Sequence, residues 1–452
     1  MIKFLFFDNR DLEGIQGFER ELQQPRKYDG NPLFLADRPW ENGNLRMYGS
    51  VLKAPERPFQ MWYSTIDPAW NIRLCYAESD DGLAWSKPRL DIHRHDGEST
   101  NVVFTAQPHG PSIIHDPYDT RPGWEYKLIC GAAPSCGVYV FHSSDGMHWL
   151  PARVTPVIGN NPDCPMSLLR RPDGTYAAHH RVPGGGRRIG RSESADFLEW
   201  RGGRIVLEPG PGDPPQFQMY GMGAAMYGDF EIGTLWAYRT DSEDMGQSKM
   251  NGRQEAELSY SRNGLAWHRA AAGQPFIPSG MEGEWDCGNL QCASAPVYLD
   301  EEIRYYFAAS TVRHSVRWEL TPARFGIGMA TLKPDRFVAL KAGPEGGEAW
   351  TRRFSMHAPD IRVNAEVEDG GEVRLEMLDH QGRVIPGFER ERCLPIRGDG
   401  TGQAVRWEGQ PNGSELVGRP VRWRLTARQA KVYSVWMPDG EGVTCYHRFR
   451  SI

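Results

Sequence analysis

The sequence predicts an all-β protein, in which a five-bladed β-propeller is followed by a C-terminal β-sandwich. A short turn motif occurs four times at intervals of roughly 50 to 70 residues, and a β-hairpin pattern precedes each copy. No segment shows the helical period over about ten residues between the strands, which excludes a parallel α/β fold. The fold class therefore depends on the repeats.

The repeated motif joins a polar turn to a tryptophan. Its copies are SDDGLAW, SSDGMHW, SADFLEW and SRNGLAW, which end at Trp85, Trp149, Trp200 and Trp267. Each copy follows an alternating run that predicts a strand, the Asp or Asn forms the turn, and the Trp begins the next strand as a large apolar group. The motif resembles the Asp-box of sialidases, which recurs in several sugar-acting propellers.

The hairpins set the domain boundaries. Each box forms the turn of one predicted hairpin, and another hairpin precedes it in the sequence. A repeat therefore contains about four short strands, which is the content of one propeller blade. A fifth repeat follows the last box without the Trp motif, and the propeller is assigned to residues 31–345. Residues 346–452 contain alternating strands without boxes and predict a β-sandwich. Residues 1–30 are predicted to be an N-terminal arm that wraps the propeller.

Composition and charge narrow the classes of partner. The 452 residues carry a net charge of −6 without a Lys/Arg block, which argues against a nucleic-acid or anionic-membrane partner. No apolar run approaches the roughly 20 residues of a membrane helix. The eight cysteines form no CxxC pair, and the start shows no basic leader, so we expect a cytoplasmic protein with reduced thiols. Homo-oligomerisation stays open.

In architecture the chain resembles a group of five-bladed carbohydrate-active enzymes, namely glycoside hydrolase family 32 (the invertase/levanase group) and families 43, 68 and 130. The segments DRPWE, FQMWYS, YAESDDGLAW and GRSESADFLEW are similar to a bacterial branch usually labelled family-32-like. The resemblance implies a carbohydrate substrate and hydrolysis of a glycosidic bond, with a furanoside as one candidate, by paired carboxylates in the propeller channel.

Family 32 carries three acidic motifs, and the chain matches them in part. WENGNLRMYGS stands where the family has W-M-N-D-P-N-G and offers Glu41 but no Asp. The H-D-P tripeptide at Asp116 resembles R-D-P, but its register places Asp116 in a hairpin turn, where a structural role is predicted. The D-C-P tripeptide at Asp163 matches E-C-P at the start of an inner strand, with Asp in place of Glu. The sugar and the stereochemical outcome stay open.

Inner propeller strands begin at one end of the channel, so their first residues converge there. The predicted catalytic residues are Asp163 as general acid, with Asp286 or Glu41 as the partner carboxylate and Glu284 as a further candidate. Planar hydrogen-bonding groups and aromatic faces hold sugars. The predicted substrate-binding residues are Trp40, Arg46, Asn101, His109, Arg181, Tyr220 and Trp236. Arg181 is expected to pair with Asp163.

Two other functions fit the same scaffold. One is a non-catalytic carbohydrate-binding propeller, which differs from the enzyme in lacking acids that face each other across the channel. The other is phosphorolysis or elimination from a uronic acid, and phosphorolysis requires Arg and Lys near the acids. No cofactor is predicted and no metal ligand set is evident, although a structural Ca²⁺ in the channel would fit the resemblance to family 43.

Overall fold

A computed structural model describes most of the chain and shows an all-β protein. The described residues are 2–54, 57–132, 137–159, 167–182, 186–240, 251–316, 318–410 and 412–438. Within these ranges the helical elements are four short 3-10 turns, at Pro39–Glu41, Trp318–Leu320, Arg390–Arg392 and Ser414–Leu416. The predicted all-β class is confirmed.

The chain divides into two compact units. Among the described residues, the smaller unit contains 2–24, 300–302 and 332–438, and the larger unit contains 25–299 and 303–331.

Thirty-three strands follow one another along the described chain. The first three are β1 (Ile2–Leu5), β2 (Leu12–Gln16) and β3 (Phe18–Leu22). The next are β4 (Arg26–Lys27), β5 (Phe34–Leu35), β6 (Leu45–Lys53), β7 (Phe59–Ile66), β8 (Ile72–Ser79), β9 (Leu90–His95), β10 (Glu98–Thr100), β11 (Val102–Phe104), β12 (His109–His115), β13 (Tyr126–Gly131), β14 (Val138–Ser143), β15 (Leu150–Pro151), β16 (Ser167–Arg170), β17 (Tyr176–Arg181), β18 (Ile189–Ser194) and β19 (Trp200–Leu207). They are followed by β20 (Phe217–Tyr227), β21 (Phe230–Thr240), β22 (Gly252–Ser261), β23 (Trp267–Arg269), β24 (Asn289–Cys292), β25 (Val297–Tyr298), β26 (Ile303–Ser310) and β27 (Phe325–Leu332). The last are β28 (Val338–Ala342), β29 (Gly347–Thr351), β30 (Phe354–Ser355), β31 (Arg362–Leu378), β32 (Asp399–Ala404) and β33 (Pro420–Met437).

The larger unit is built from antiparallel sheets in chain order. Three four-stranded sheets have the orders β11-β8-β7-β6, β12-β13-β14-β15 and β16-β17-β18-β19. Strands β20 to β27 form a ten-stranded sheet with β4 and β5, in which β22 and β24 are joined by one parallel pairing between Gln254 and Asn289. We call β6, β12, β16, β20 and β24 the inner strands. Neighbouring inner strands β6 and β12, β12 and β16, and β16 and β20 are in contact, and β24 contacts β6.

Buried serines connect neighbouring inner strands. The Ser50 hydroxyl on β6 accepts the backbone N–H of Ile113 on β12 at 2.7 Å, and the Ser112 hydroxyl on β12 accepts that of Leu168 on β16 at 2.9 Å. Ser294, just after β24, bonds through its backbone to both β6 and β20. Because a buried N–H without a partner costs about 1–3 kcal/mol, these bonds favour a fixed spacing between the inner strands.

The four predicted boxes form the same turn. In the first box the Ser79 hydroxyl accepts an N–H of the turn at 2.8 Å, and Asp81 accepts the next two N–H groups at 2.7 and 2.9 Å. Asp145, Asp196 and Asn263 accept the equivalent pairs of N–H groups in the other boxes. In three of the boxes the Trp indole N–H donates to a carbonyl of the turn. The predicted turn chemistry is confirmed.

The smaller unit is a nine-stranded sheet system around one apolar core. Strand β33 pairs with β31 along one side, and with β30, β29, β28 and β1 in succession along the other. The core contains the buried side chains of Phe388, Trp407 and Trp423.

The N-terminal residues require a correction. The sequence predicted an arm over residues 1–30 that wraps the propeller, but β1, β2 and β3 pair with β33, β29 and β28 of the smaller unit. The reason is burial of apolar surface, because Phe4, Phe6 and Leu12 belong to the core of this unit. Their alternation with polar residues was too short to distinguish an arm from paired strands.

Candidate functional site

Three inner strands depart from regular pairing in their first halves. The ladder of β6 is interrupted between Arg46 and Ser50, and that of β12 between His109 and Ser112. The ladder of β20 is interrupted around Tyr220. Bulges bend a strand and redirect its side chains, and they are common next to active sites. The bulges in the first halves of these three strands therefore indicate a candidate site.

Aromatic side chains from these bulges meet. The rings of Tyr48 and Trp236 stack with centroids 5.7 Å apart, and Tyr220 stacks on Trp236 at 6.2 Å. The His109 ring meets Tyr48 edge-on at 5.7 Å. Flat rings with polar edges are suited to contact a sugar through its apolar face and its hydroxyls.

Hydroxyl and imidazole groups form a chain of hydrogen bonds through the same side chains. The Tyr48 and Tyr220 hydroxyls are 3.3 Å apart, and the Tyr220 hydroxyl is 3.1 Å from His314 Nε2. His314 Nδ1 is 3.2 Å from the Tyr238 hydroxyl. Burial raises the pKa of Tyr48 well above its usual value, and Tyr220 raises it further, whereas Arg46 opposes the shift. Tyr48 is therefore a neutral phenol at pH 7 and can donate a hydrogen bond.

Two arginines flank Tyr220. The Arg181 guanidinium lies 4.9 Å from the centre of the Tyr220 ring and donates to the Tyr220 carbonyl at 3.1 Å. The Arg187 guanidinium lies 5.1 Å from the same ring and 5.4 Å from the Tyr238 ring. Cation–π contacts of this kind hold the two guanidinium groups against the phenol rings.

A third arginine lies on the β6 side. The Arg46 guanidinium is 4.8 Å from the centre of the Phe325 ring. Burial lowers the pKa of Arg46, while Tyr48 and Tyr220 oppose this shift. We call the whole group the tyrosine–arginine cluster. Its members are Arg46, Tyr48, His109, Arg181, Arg187, Tyr220, Trp236, Tyr238 and His314.

Five of the predicted site residues belong to this cluster: Arg46, His109, Arg181, Tyr220 and Trp236. Sequence reasoning missed Tyr48, Arg187, Tyr238 and His314. A signal for Tyr48 was present, because Tyr48, His109 and Tyr220 are each followed by glycine in an inner strand. A Cβ at Gly49 would lie 1.9 Å from the Trp62 carbonyl oxygen, so the bulge at Tyr48 requires glycine.

Three other predicted residues form a separate buried group. The Glu41 carboxylate accepts the Tyr63 hydroxyl at 2.6 Å and pairs with Lys87 at 2.7 Å. Asn101 accepts the Trp40 indole N–H at 2.7 Å and donates to the Tyr63 hydroxyl at 2.8 Å. Glu41 is fully buried. Its charge is balanced within this group, and the bonds described here do not connect it to the tyrosine–arginine cluster.

Asp286 and Asp116 are each paired with a lysine. Asp286 pairs at 2.6 Å with Lys27, and Lys27 lies on β4 at the edge of the ten-stranded sheet. Asp163 lies outside the described residues, so its role, its partner carboxylate and its pairing with Arg181 stay predictions. Asp116 is fully buried next to the β12–β13 turn, where it bonds Tyr176 at 2.5 Å and contributes to a buried ion pair, in keeping with its predicted structural role.

The described residues contain no group of three or more His, Cys, Asp or Glu side chains that could hold a metal ion. Within the same ranges no helix has the length and apolarity needed to cross a membrane.

Comparison with known proteins gives similarity at the level of structure. No protein-family profile matches the chain, and a search of curated proteins found no match. One similar solved structure is a glycosyl hydrolase from Bacteroides ovatus, with 14% identity over 70% of this chain and 95% of that one, and a TM-score of 0.48. Another comes from work on glycoside hydrolase family 130, described as mannoside phosphorylases that include hydrolases of β-1,2-mannosidic linkages in Candida mannan. It shares 15% identity over 70% of this chain and 95% of that one, with a TM-score of 0.47.

A third similar structure is the catalytic domain of a family 62 α-L-arabinofuranosidase from Coprinopsis cinerea. It shares 12% identity over 68% of this chain and 97% of that one, with a TM-score of 0.46. Family 130 is among the families that the sequence resembles, whereas family 62 is not.

Proposed function

We propose that the chain is a carbohydrate-active enzyme that hydrolyses a glycosidic bond. In this proposal the larger unit is a closed five-bladed propeller, the smaller unit is a β-sandwich, and substrate binds at the tyrosine–arginine cluster. The observation that carries the proposal is the convergence of three stacked rings, Tyr48, Trp236 and Tyr220, with phenol, imidazole and guanidinium donors at bulges of the inner strands. Aromatic faces beside convergent polar groups are the usual means of holding a sugar.

The proposed acid is Asp163. It precedes β16 by four residues, and β16 contacts the inner strands β12 and β20, which contribute His109 and Tyr220 to the cluster. Hydrolysis needs a carboxylic acid that protonates the leaving oxygen, and a carboxylate that activates water or attacks the anomeric carbon. Asp286 and Glu41 are the proposed partners, and each would first have to exchange its bonded lysine for water or substrate.

Substitution of Asp163 tests this function. We expect Asp163→Asn to lower turnover of an unactivated glycoside about 100-fold or more, because general acid catalysis is lost. Aryl glycosides with good leaving groups, furanosides included, should be affected far less because they need little protonation. Asp173→Asn, in the exposed β16–β17 turn, is the matched control. Equal losses on both substrate types would make Asp163 a nucleophile or a supporting residue, and no loss would remove it from the site.

A second candidate function is elimination from a uronic acid. The observation that favours it is the bonded Tyr48–Tyr220–His314 chain beside Arg46, with no carboxylate among the described members of the cluster. In this reaction a base removes the C5 proton and a C4=C5 double bond forms. The C4–O bond breaks, and the leaving oxygen takes its electron pair and a proton from an acid.

His314 would serve as the base of that reaction, a tyrosine as the acid, and Arg46 would neutralise the carboxylate. Product analysis separates the two functions, because elimination gives an unsaturated uronate that absorbs ultraviolet light, whereas hydrolysis incorporates water at the anomeric carbon. Binding without turnover of either kind would indicate a non-catalytic carbohydrate-binding propeller.

A further inference from the structure

The Arg46 side chain is a half-buried cation whose guanidinium packs on an aromatic ring rather than on a carboxylate. Its guanidinium lies against the Phe325 ring, and the groups that act on its pKa besides burial are the phenols of Tyr48 and Tyr220. Its Nε atom is buried and has no hydrogen-bond partner among the described residues. A buried N–H without a hydrogen-bond partner is unfavourable, and an acceptor that reaches it relieves this cost.

Three buried cations among the described residues are paired with carboxylates. Lys87, Lys127 and Arg191 bind buried carboxylates of Glu41, Asp116 and Glu231 at 2.7, 2.9 and 2.6 Å. Arg46 has no carboxylate partner within the described ranges. Its guanidinium therefore keeps hydrogen-bonding capacity that an anion can use.

The surroundings of Arg46 suit an oxyanion. The neutral Tyr48 phenol can donate a hydrogen bond, and Tyr220 lies beside it at 3.3 Å between the hydroxyl oxygens. A guanidinium beside phenol donors attracts and hydrogen-bonds a carboxylate, sulfate or phosphate.

We propose that Arg46 and Tyr48, with Tyr220, form an oxyanion-binding subsite. The proposal rests on the proposed function in that the oxyanion is taken to accompany a carbohydrate. It is either an acidic substituent of the sugar or free phosphate that acts as a co-substrate. The shared chemistry is a group with two or more oxygens that carry negative charge, bound by the planar guanidinium fork and a phenol hydroxyl.

Equilibrium binding to the full chain tests the subsite without requiring turnover. The probes are glucuronic and galacturonic acid, their neutral counterparts glucose and galactose, and inorganic phosphate, each titrated calorimetrically at low and high salt. We expect at least one oxyanion probe to bind about 10-fold to 100-fold more tightly than a neutral sugar, as for a hydrogen bond to a charged group. Preference for an acidic sugar assigns the oxyanion to the substrate, whereas binding of phosphate alone assigns it to a co-substrate.

The variants locate the subsite. Arg46→Gln should abolish the preference for the oxyanion probe, and Arg46→Lys should retain part of it. Arg89→Gln, an exposed surface arginine paired with Glu98, is the matched control and should bind as the wild type does. Tyr48→Phe removes one hydroxyl while keeping the ring, so it tests the subsite even where Arg46→Gln lowers the melting temperature.

Equal binding of charged and neutral probes by the wild type would overturn the proposal. An undiminished preference in Tyr48→Phe and in a folded Arg46→Gln would do the same. Oxyanion binding that depends on Arg46, combined with no turnover of any glycoside, would leave the subsite standing and remove the proposed hydrolysis.

Discussion

At the residue scale, glycine decides where the site residues point. Tyr48, His109 and Tyr220 each precede a glycine at a bulge of an inner strand. A strand in regular alternation would place successive side chains on opposite faces of its sheet. The bulges redirect three side chains from three different sheets, and two of these, Tyr48 and Tyr220, come close enough for their hydroxyls to lie 3.3 Å apart.

Substitution of Glu41 distinguishes a structural role from a catalytic one. Glu41→Gln leaves Lys87 as a buried cation without its full partner, and we expect a loss of about 3–5 kcal/mol in the free energy of unfolding. Asp37→Asn is a matched control, because Asp37 bonds the same lysine at 2.6 Å but is exposed, and its loss should stay below about 1 kcal/mol. Chemical denaturation of both variants measures the difference. A Glu41→Gln variant with wild-type stability and lost turnover would contradict this structural role and favour Glu41 as the partner carboxylate of Asp163.

At the scale of elements, three of the four boxes join one strand to the next through a carboxylate that accepts N–H groups of the turn, and protonation weakens these bonds. Burial alone would raise the pKa of Asp145, but hydrogen bonds from His148, Met147 and Ser143 lower it to about 2. A carboxyl whose pKa is lower in the folded than in the unfolded chain stabilises the fold above its unfolded pKa of about 3.9, and this contribution is lost as pH falls toward 2. The fourth box has Asn263 at the equivalent position, which does not titrate.

Asp145→Asn should therefore change the acid stability of the chain. We expect the variant to be less stable than the wild type at pH 7, with a difference in melting temperature that shrinks between about pH 4 and 2. The reciprocal variant Asn263→Asp should add a contribution that is present at pH 7 and is lost over the same pH range. Thermal unfolding of the three proteins across this range measures the effect, and a pH-independent difference for Asp145→Asn would contradict it.

At the scale of the whole molecule, the smaller unit is discontinuous. Its sheet takes β1, β2 and β3 from the start of the chain and β28 to β33 from the end, with the larger unit between them in the sequence. During synthesis β1, β2 and β3 remain unpaired until their partners β33, β29 and β28 have been made. Unpaired strands with apolar side chains promote aggregation.

Truncation tests this organisation. A chain of residues 1–345 keeps β1 and β2 but lacks β29 to β33, so we expect it to be less soluble than the full chain. A chain of residues 25–331 lacks the smaller unit's N-terminal strands as well, and we expect it to be more soluble than 1–345. Sedimentation and the soluble fraction after expression compare the two. A soluble and stable 1–345 chain would show that the N-terminal strands do not need their partners.

The repeats were predictable because they depend on local chemistry. The Ser, Asp or Asn and Trp of each box act within one turn, and their spacing is visible in the sequence. The aromatic–glycine pairs in the inner strands were visible in the same way. Residues outside the repeats were not, and His314 lies between β26 and β27, where only the folded chain brings it to Tyr220.

The carboxylates show why position at the start of an inner strand is not enough to predict a catalytic residue. Glu41 and Asp286 precede inner strands, as predicted, but each accepts a bond from a lysine distant in the sequence, Lys87 and Lys27. Position at a strand start does not reveal that a cation from elsewhere neutralises the acid. The pairing of β1 to β3 was unpredictable for the same reason, because their partners come more than 300 residues later in the chain.

The serines that connect the inner strands have a consequence for hydrogen exchange. The N–H groups of Ile113 and Leu168 belong to one sheet each, but their acceptors, Ser50 and Ser112, belong to the sheet before. Local opening within a single sheet leaves such a bond intact, so deuterium enters these amides only when two neighbouring sheets separate. The exchange rates of these two amides therefore report the separation of neighbouring sheets, and not the local unfolding of either sheet.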